Sequence, residues 1–212
     1  GPAGAMVWAD IGQDAITSVV DAALRGGVSW FDTAEAYGNG ASEKSLAAAL
    51  SVLGVAAGTV GIATKWWPLL RPASSIGRTI GDRIAALSPY PVDLHQVHQP
   101  FSVSPVPAQM REMAKLVREK RIRAIGVSNF SAVKMEQAHA ALAAEGIPLA
   151  SNQVRFSLLD RSIESNGILE TARRLGVTII AWSPLAQGIL TGRFHEEPGL
   201  LKGIQPGRRM MS

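Results

Sequence analysis

The sequence predicts an α/β protein: a single-domain (β/α)8 TIM barrel over 1–212, C-terminally incomplete and lacking its eighth strand and helix. Three observations lead there. Six short apolar runs rich in β-branched residues begin 27 to 33 residues apart. The stretches between them carry apolar residues at helical spacing, and such alternation implies a parallel sheet covered by helices. No G-x-G-x-x-G turn follows the first run, which counts against the runner-up, a doubly wound nucleotide fold.

The strands are expected at 28–32, 59–64, 92–97, 122–127, 149–154 and 177–182, and the helices at 14–25, 43–53, 74–87, 106–120, 132–144 and 163–175. Glycine closes several helices just before the next strand, as in "RGGVSW" and "RLGVTII". Counting the short "GAMVW" piece as a first strand gives seven, one short of closure. A seven-stranded remnant would expose two parallel edges, a hazard that barrels avoid by closing. These residues are therefore expected to be part of a longer gene product, the alternative being a genuinely shortened chain.

With 212 residues, 47% hydrophobic and 18% charged, and a mean hydropathy of +0.13, the chain suits a folded globular protein with a large core. No apolar run reaches the roughly 18 residues that span a membrane, and no signal-peptide layout opens the chain; a soluble, cytoplasmic protein is expected. The lack of cysteine removes disulfides, thiolate nucleophiles and cysteine-ligated zinc. The net charge of +4 is dispersed, and its densest cluster, "KLVREKRIR", reads as a solvated helix face rather than a nucleic-acid site.

In a parallel barrel the reactive groups gather at the carboxyl ends of the strands. Here those ends offer Asp32, Lys65, His98, Ser128 with Asn129, Gln153, and Trp182 with Ser183. Each has a bland reading. Asp32 could cap a turn, Lys65 could snorkel at the rim, His98 could be a satisfied loop histidine and Asn129 could cap the next helix; together on one rim those readings become strained. The chemistry of Asp32, Tyr37, Lys65 and His98 is coherent. A lysine ammonium would lower the phenol pKa of Tyr37, Asp32 would hold the lysine charged, and a neutral His98 would orient a carbonyl oxygen. Such a site moves a proton onto oxygen and calls for a separate hydride donor. No metal site is expected, because His95 and His98 of "HQVH" fall on opposite faces of a strand. No G-x-S-x-G elbow supports a serine triad.

Six ordered blocks, "GVSWFDTAEAYGNGASEKSL", "GIATKWWP", "VDLHQVHQP", "IRAIGVSNFS", "LASNQVRFSLLDR" and "VTIIAWSPLAQGILTGRF", resemble successive motifs of the aldo-keto reductases over nearly the whole chain. The resemblance implies an NADP(H)-dependent barrel that reduces small-molecule aldehydes and ketones to alcohols. It implies Asp32, Tyr37, Lys65 and His98 as the catalytic tetrad, with Tyr37 as general acid and Asp32 also beside the cofactor. Ser128, Asn129 and Gln153 would hold the nicotinamide carboxamide, and Trp182 would stack on its ring. Ser183, Pro184, Leu185, Gln187, Gly188 and Arg193 would line the pyrophosphate. Trp8, Trp66 and Trp67 are candidates for the substrate wall.

The chain looks closest to the branch holding potassium-channel β-subunits and various bacterial and plant reductases, so the alternative is a nucleotide-binding regulatory module with little turnover. The family chain continues beyond "GIQPGRRMMS" into a segment that clamps the adenosine 2′-phosphate, and the start lacks the family's opening hairpin. Nothing in the residues present separates NADP from NAD. Neither a membrane nor a nucleic-acid partner is expected, and no oligomeric state can be derived.

Overall fold

The computed structural model describes residues 12–192 and 196–197. Six strands, β1 (Trp30–Asp32), β2 (Gly61–Trp66), β3 (Leu94–Val97), β4 (Ala124–Ser128), β5 (Leu149–Arg155) and β6 (Thr178–Trp182), pair in parallel in sequence order. They alternate with helices α1 (Gln13–Arg25), α2 (Ala41–Val52), α3 (Ser75–Leu87), α4 (Val106–Arg118), α5 (Ala132–Ala143) and α6 (Ile168–Leu175). The result is a curled parallel sheet with helices, a partial barrel. The "GAMVW" piece lies outside the described residues.

Strands β1 to β4 each start two residues later than their apolar patterns suggest, and α6 starts five residues later. Strand β1 begins at Trp30 because the chain is still closing α1: Gly27 sits at φ +83 and the Val28 amide donates to Ala23 O. The apolar period over 163–175 splits into a 3-10 turn, Ser162–Glu164, and α6. Gly167, at φ +83, stands between them in a conformation that a right-handed helix cannot carry through.

Along each strand, side chains alternate between two faces. One face supplies Ile62, Trp66, Val97, Ile125, Val127 and Leu149 to a single core shared with Ile76, Ile80, Leu87, Met110, Met113, Met135 and Leu142 of the helices. The opposite face carries Asp32, Lys65, Gln96, Ser128, Ser151 and Gln153, so the barrel interior is polar where the exterior is apolar. A register shift beside Ile125 and Gly126, where Leu149 and then Ser151 are the partners, brings Ser151 onto that inner face.

Gly126 makes the inner layer possible. A Cβ there would lie 2.4 Å from Ser151 Oγ and 2.9 Å from Gln96 Cγ. Gly126→Ala is therefore expected to destabilise the fold by about 1–3 kcal/mol through overpacking, read as a lowered thermal midpoint.

The strand period also corrects one sequence expectation. Trp66 follows the inward Lys65 and so points outward, 1% exposed, its indole Nε1 donating to Ser75 Oγ at 3.0 Å. It belongs to the core between sheet and helices and cannot wall a substrate.

Candidate active site

At the carboxyl ends of the strands the bland readings fail one by one. Lys65 does not snorkel; it is fully buried, its Nζ donating to Asp32 Oδ2 and to Thr33 O at 2.9 Å. Asp32 caps no turn. Its carboxylate also accepts from Gln153 Nε2 at 3.2 Å and Gln96 Nε2 at 3.5 Å. Asn129 is not the cap of α5, because Ser131 Oγ accepts from the Lys134 amide in that role. Instead Asn129, at φ +61, directs its amide to His98 O at 3.3 Å and Ser128 Oγ at 3.1 Å, and accepts from Trp182 Nε1 at 2.9 Å. His98 is not a satisfied loop histidine: its buried Nδ1 has no hydrogen-bond partner.

Tyr37 arrives on the loop after β1 and meets both partners. Lys65 Nζ lies 5.1 Å from its ring centroid, and the His98 ring is edge-on at 5.6 Å. On its other side His98 meets Trp67 edge-on at 5.1 Å, and Trp67 meets Phe101 at 5.7 Å. Asp32, Tyr37, Lys65 and His98 are thus brought to one rim with an aromatic wall beside them. Trp67, a sequence candidate for the substrate wall, lies between His98 and Phe101.

The electrostatics differ from the expectation in one respect. Lys65 was expected to lower the phenol pKa. Instead, burial and then the Asp32 carboxylate push Tyr37 up to about 12. Desolvation is the larger cause, and the Lys65 charge is paired with Asp32. Burial also lowers the Lys65 pKa, with Asp32 acting against it. His98 is pushed down to about 3 by burial and then by the Lys65 charge, so its imidazole is neutral at ordinary pH.

His95 faces the helices, opposite His98, and burial pushes it down to about 4. Two histidines held neutral have a consequence for stability. Both gain a proton near pH 6.5 when unfolded but only far lower when folded, so stability is fully present above about pH 6.5 and is lost as pH falls toward about 4. The slope is at most about 1.4 kcal/mol per pH unit for each histidine. Burial raises Glu43, which then takes up a proton first in the folded chain and partly offsets the loss at the acid end. Urea unfolding at about pH 7, 6 and 5 measures this, and equal midpoints would refute it.

Sequence reasoning missed Gln96, Ser151 and Phe101. Gln96 was reachable: counting back two residues from His98 along a strand lands on it. Ser151 was not, since its inward direction depends on the register shift. Trp8 and Arg193 lie outside the described residues. Ser183, Pro184, Leu185, Gln187 and Gly188 follow β6 in a tight turn running into a 3-10 segment, with Ser183, Gln187 and Gly188 all at positive φ.

Among the described residues, no helix is long and apolar enough to cross a membrane. The residues near the rim suit a nicotinamide group: hydroxyl and amide donors and acceptors on Ser128, Asn129 and Gln153 match a carboxamide, and the Trp182 indole beside them offers an aromatic face.

Comparison with known proteins gives a consistent picture. The model of the aldo/keto reductase family matches residues 4–208. An uncharacterized oxidoreductase of Mycobacterium tuberculosis is 37% identical over 196 residues, which cover 91% of this chain and 58% of the relative. The aldo-keto reductase YhdN of Bacillus subtilis is 31% identical over 202 residues, covering 92% and 59%. Among solved structures, an aldo-keto reductase from Klebsiella pneumoniae in complex with NADPH superposes with a TM-score of 0.73 at 27% identity, over 83% of this chain and 60% of that one. The glycerol dehydrogenase of Gluconobacter oxydans gives 0.75 at 30%, over 88% and 59%. The chain thus spans just under three fifths of the length of these curated relatives.

Proposed function

Because the chain belongs to the aldo/keto reductase family, we propose that it acts, as part of its whole protein, as an NADPH-dependent oxidoreductase that reduces aldehydes and ketones to alcohols. The observation that carries this reading is the meeting of Tyr37, Lys65 and His98 on one rim, with Asp32 bound to the lysine. A bound nicotinamide dinucleotide supplies the hydride.

The chain's own residues do the rest. Trp67 and Phe101 form an apolar wall that seats the substrate and excludes water. A neutral His98 donates to the carbonyl oxygen and orients it toward Tyr37. The Tyr37 phenol, protonated at neutral pH, gives its proton to that oxygen as negative charge develops there. Lys65 then stabilises the phenolate, a role it plays only while Asp32 keeps it charged. Ser128, Asn129 and Gln153 hold the carboxamide, Trp182 stacks on the ring, and Ser183, Pro184, Leu185, Gln187 and Gly188 line the pyrophosphate. NADPH rather than NADH is supported by the Klebsiella relative, whose structure is a complex with NADPH.

Oxidation of NADPH followed at 340 nm with a panel of aldehydes tests the reading. Turnover above the uncatalysed rate supports it. Tight nucleotide binding without turnover would replace it with a regulatory role.

A further inference from the structure

Behind the catalytic rim, on the helix-facing side, lies a buried cluster of two carboxylates and two guanidiniums that the chemistry above does not use. Glu35 is 8% exposed and Glu43 is fully buried. One oxygen of Glu35 accepts from the Trp67 backbone amide and from Arg71 Nη1; the other accepts from Arg83 Nη1 at 2.7 Å. Arg83 Nε pairs with Glu43 at 2.8 Å, and Glu43 in turn accepts from Thr64 Oγ1. The Glu35 amide donates to Lys65 O at 3.3 Å.

We propose that Glu35 is a positioning residue for the carbonyl reduction proposed above, on which this inference rests. Its carboxylate, gripped by Arg71 and Arg83, locks the loop bearing Tyr37 onto the backbone at the end of the Lys65 strand. Three features support the assignment. Glu35 stands two residues before Tyr37, and the amide it holds belongs to Trp67, whose ring meets His98. Although its surroundings desolvate the phenol, the Tyr37 side chain as a whole is 40% exposed and lies outside the hydrophobic core, so its placement depends on the backbone of its loop. Buried ion pairs, finally, add little stability over a well-packed apolar substitute, so stability alone does not account for this cluster, whose directional contacts join the Tyr37 loop to Trp67 and α3. Arg71 adds to that definition by donating to Thr79 Oγ1 at 2.9 Å.

Glu35→Gln keeps the size and loses the charge. It is expected to lower kcat by about 10- to 100-fold, the scale of a small misplacement of a catalytic group, with the KM for NADPH within about twofold. In a Tyr37→Phe background the same change should cost almost nothing further in residual turnover, because its effect passes through the phenol. An unchanged kcat, or a full additional loss in that background, overturns the proposal. If Glu35→Gln fails to fold, Arg71→Ala removes one grip from a more exposed side chain and should show the same pattern.

Ultraviolet titration of the phenol serves as a readout independent of turnover. The chain has two tyrosines, so Tyr37→Phe assigns the signal. Wild-type Tyr37, facing Asp32, Lys65 and His98, should ionise above the usual value near 10, whereas in Glu35→Gln it should move back toward that value. An inactive wild type removes the reduction reading and the role in catalysis with it, while this titration still decides whether Glu35 holds the loop. Identical titrations in the two proteins would show that it does not.

Discussion

Tyr37→Phe is expected to lower aldehyde reduction by about 10²–10⁴-fold, the range supplied by a positioned proton donor, while leaving dinucleotide affinity close to wild type. The change removes one oxygen, and the ring retains its edge contact with His98 and its place beside Lys65. No other neutral hydroxyl acid stands in the described contacts around His98. The phenol's position at about 12 sharpens the expectation. A group pushed up that far stays protonated across the ordinary range, so the reductive rate should not decline through loss of the donor's proton below about pH 10. His98, neutral above about 3, places no limb in that range either. A plot of kcat/KM against pH, together with the single-site variant, checks both statements. A phenylalanine variant with wild-type turnover would remove Tyr37 from the chemistry.

Asp32→Asn is the second large effect, and it acts on stability as well as rate. The substitution removes the counter-charge of the buried Lys65 ammonium and leaves it only neutral acceptors, the new amide oxygen and Thr33 O. Removing one partner of a fully buried pair costs about 3–5 kcal/mol because the remaining charge is uncompensated, and the cost here is smaller because the Asp32 side chain is 27% exposed and the amide oxygen still accepts. The lysine can escape part of that cost by shedding its proton, since burial already lowers its pKa and Asp32 is what opposes this. Turnover should then fall with stability, because a neutral amine no longer stabilises the phenolate. Gln153 and Gln96 lose an ionised acceptor in the same step. Thermal unfolding reads the first effect and kcat the second; a variant as stable and as active as wild type would refute the assigned role of the pair.

Much of this architecture is legible from local rules. Strand and helix alternation follows from side-chain periods of two and 3.6, which depend only on near neighbours, so all six strands and six helices were found with small shifts at their ends. The late starts of β1 and α6 share a cause. Apolar spacing continues through Val28 and through residues 163–167, but glycines at positive φ interrupt the backbone there. Trp66 shows the opposite case, a misassignment that the period itself could have prevented.

What the sequence determined on its own was the list of polar groups at the strand ends, because strand spacing and direction are properties of the chain. Tertiary structure decided how those groups act on one another. Whether Lys65 or Asp32 dominates at Tyr37, whether His98 is neutral, and that Glu35 closes on Trp67, Arg71 and Arg83 all depend on how side chains from separate strands, loops and helices meet in space. Coulomb and desolvation energies follow distance in space, which no local pattern encodes.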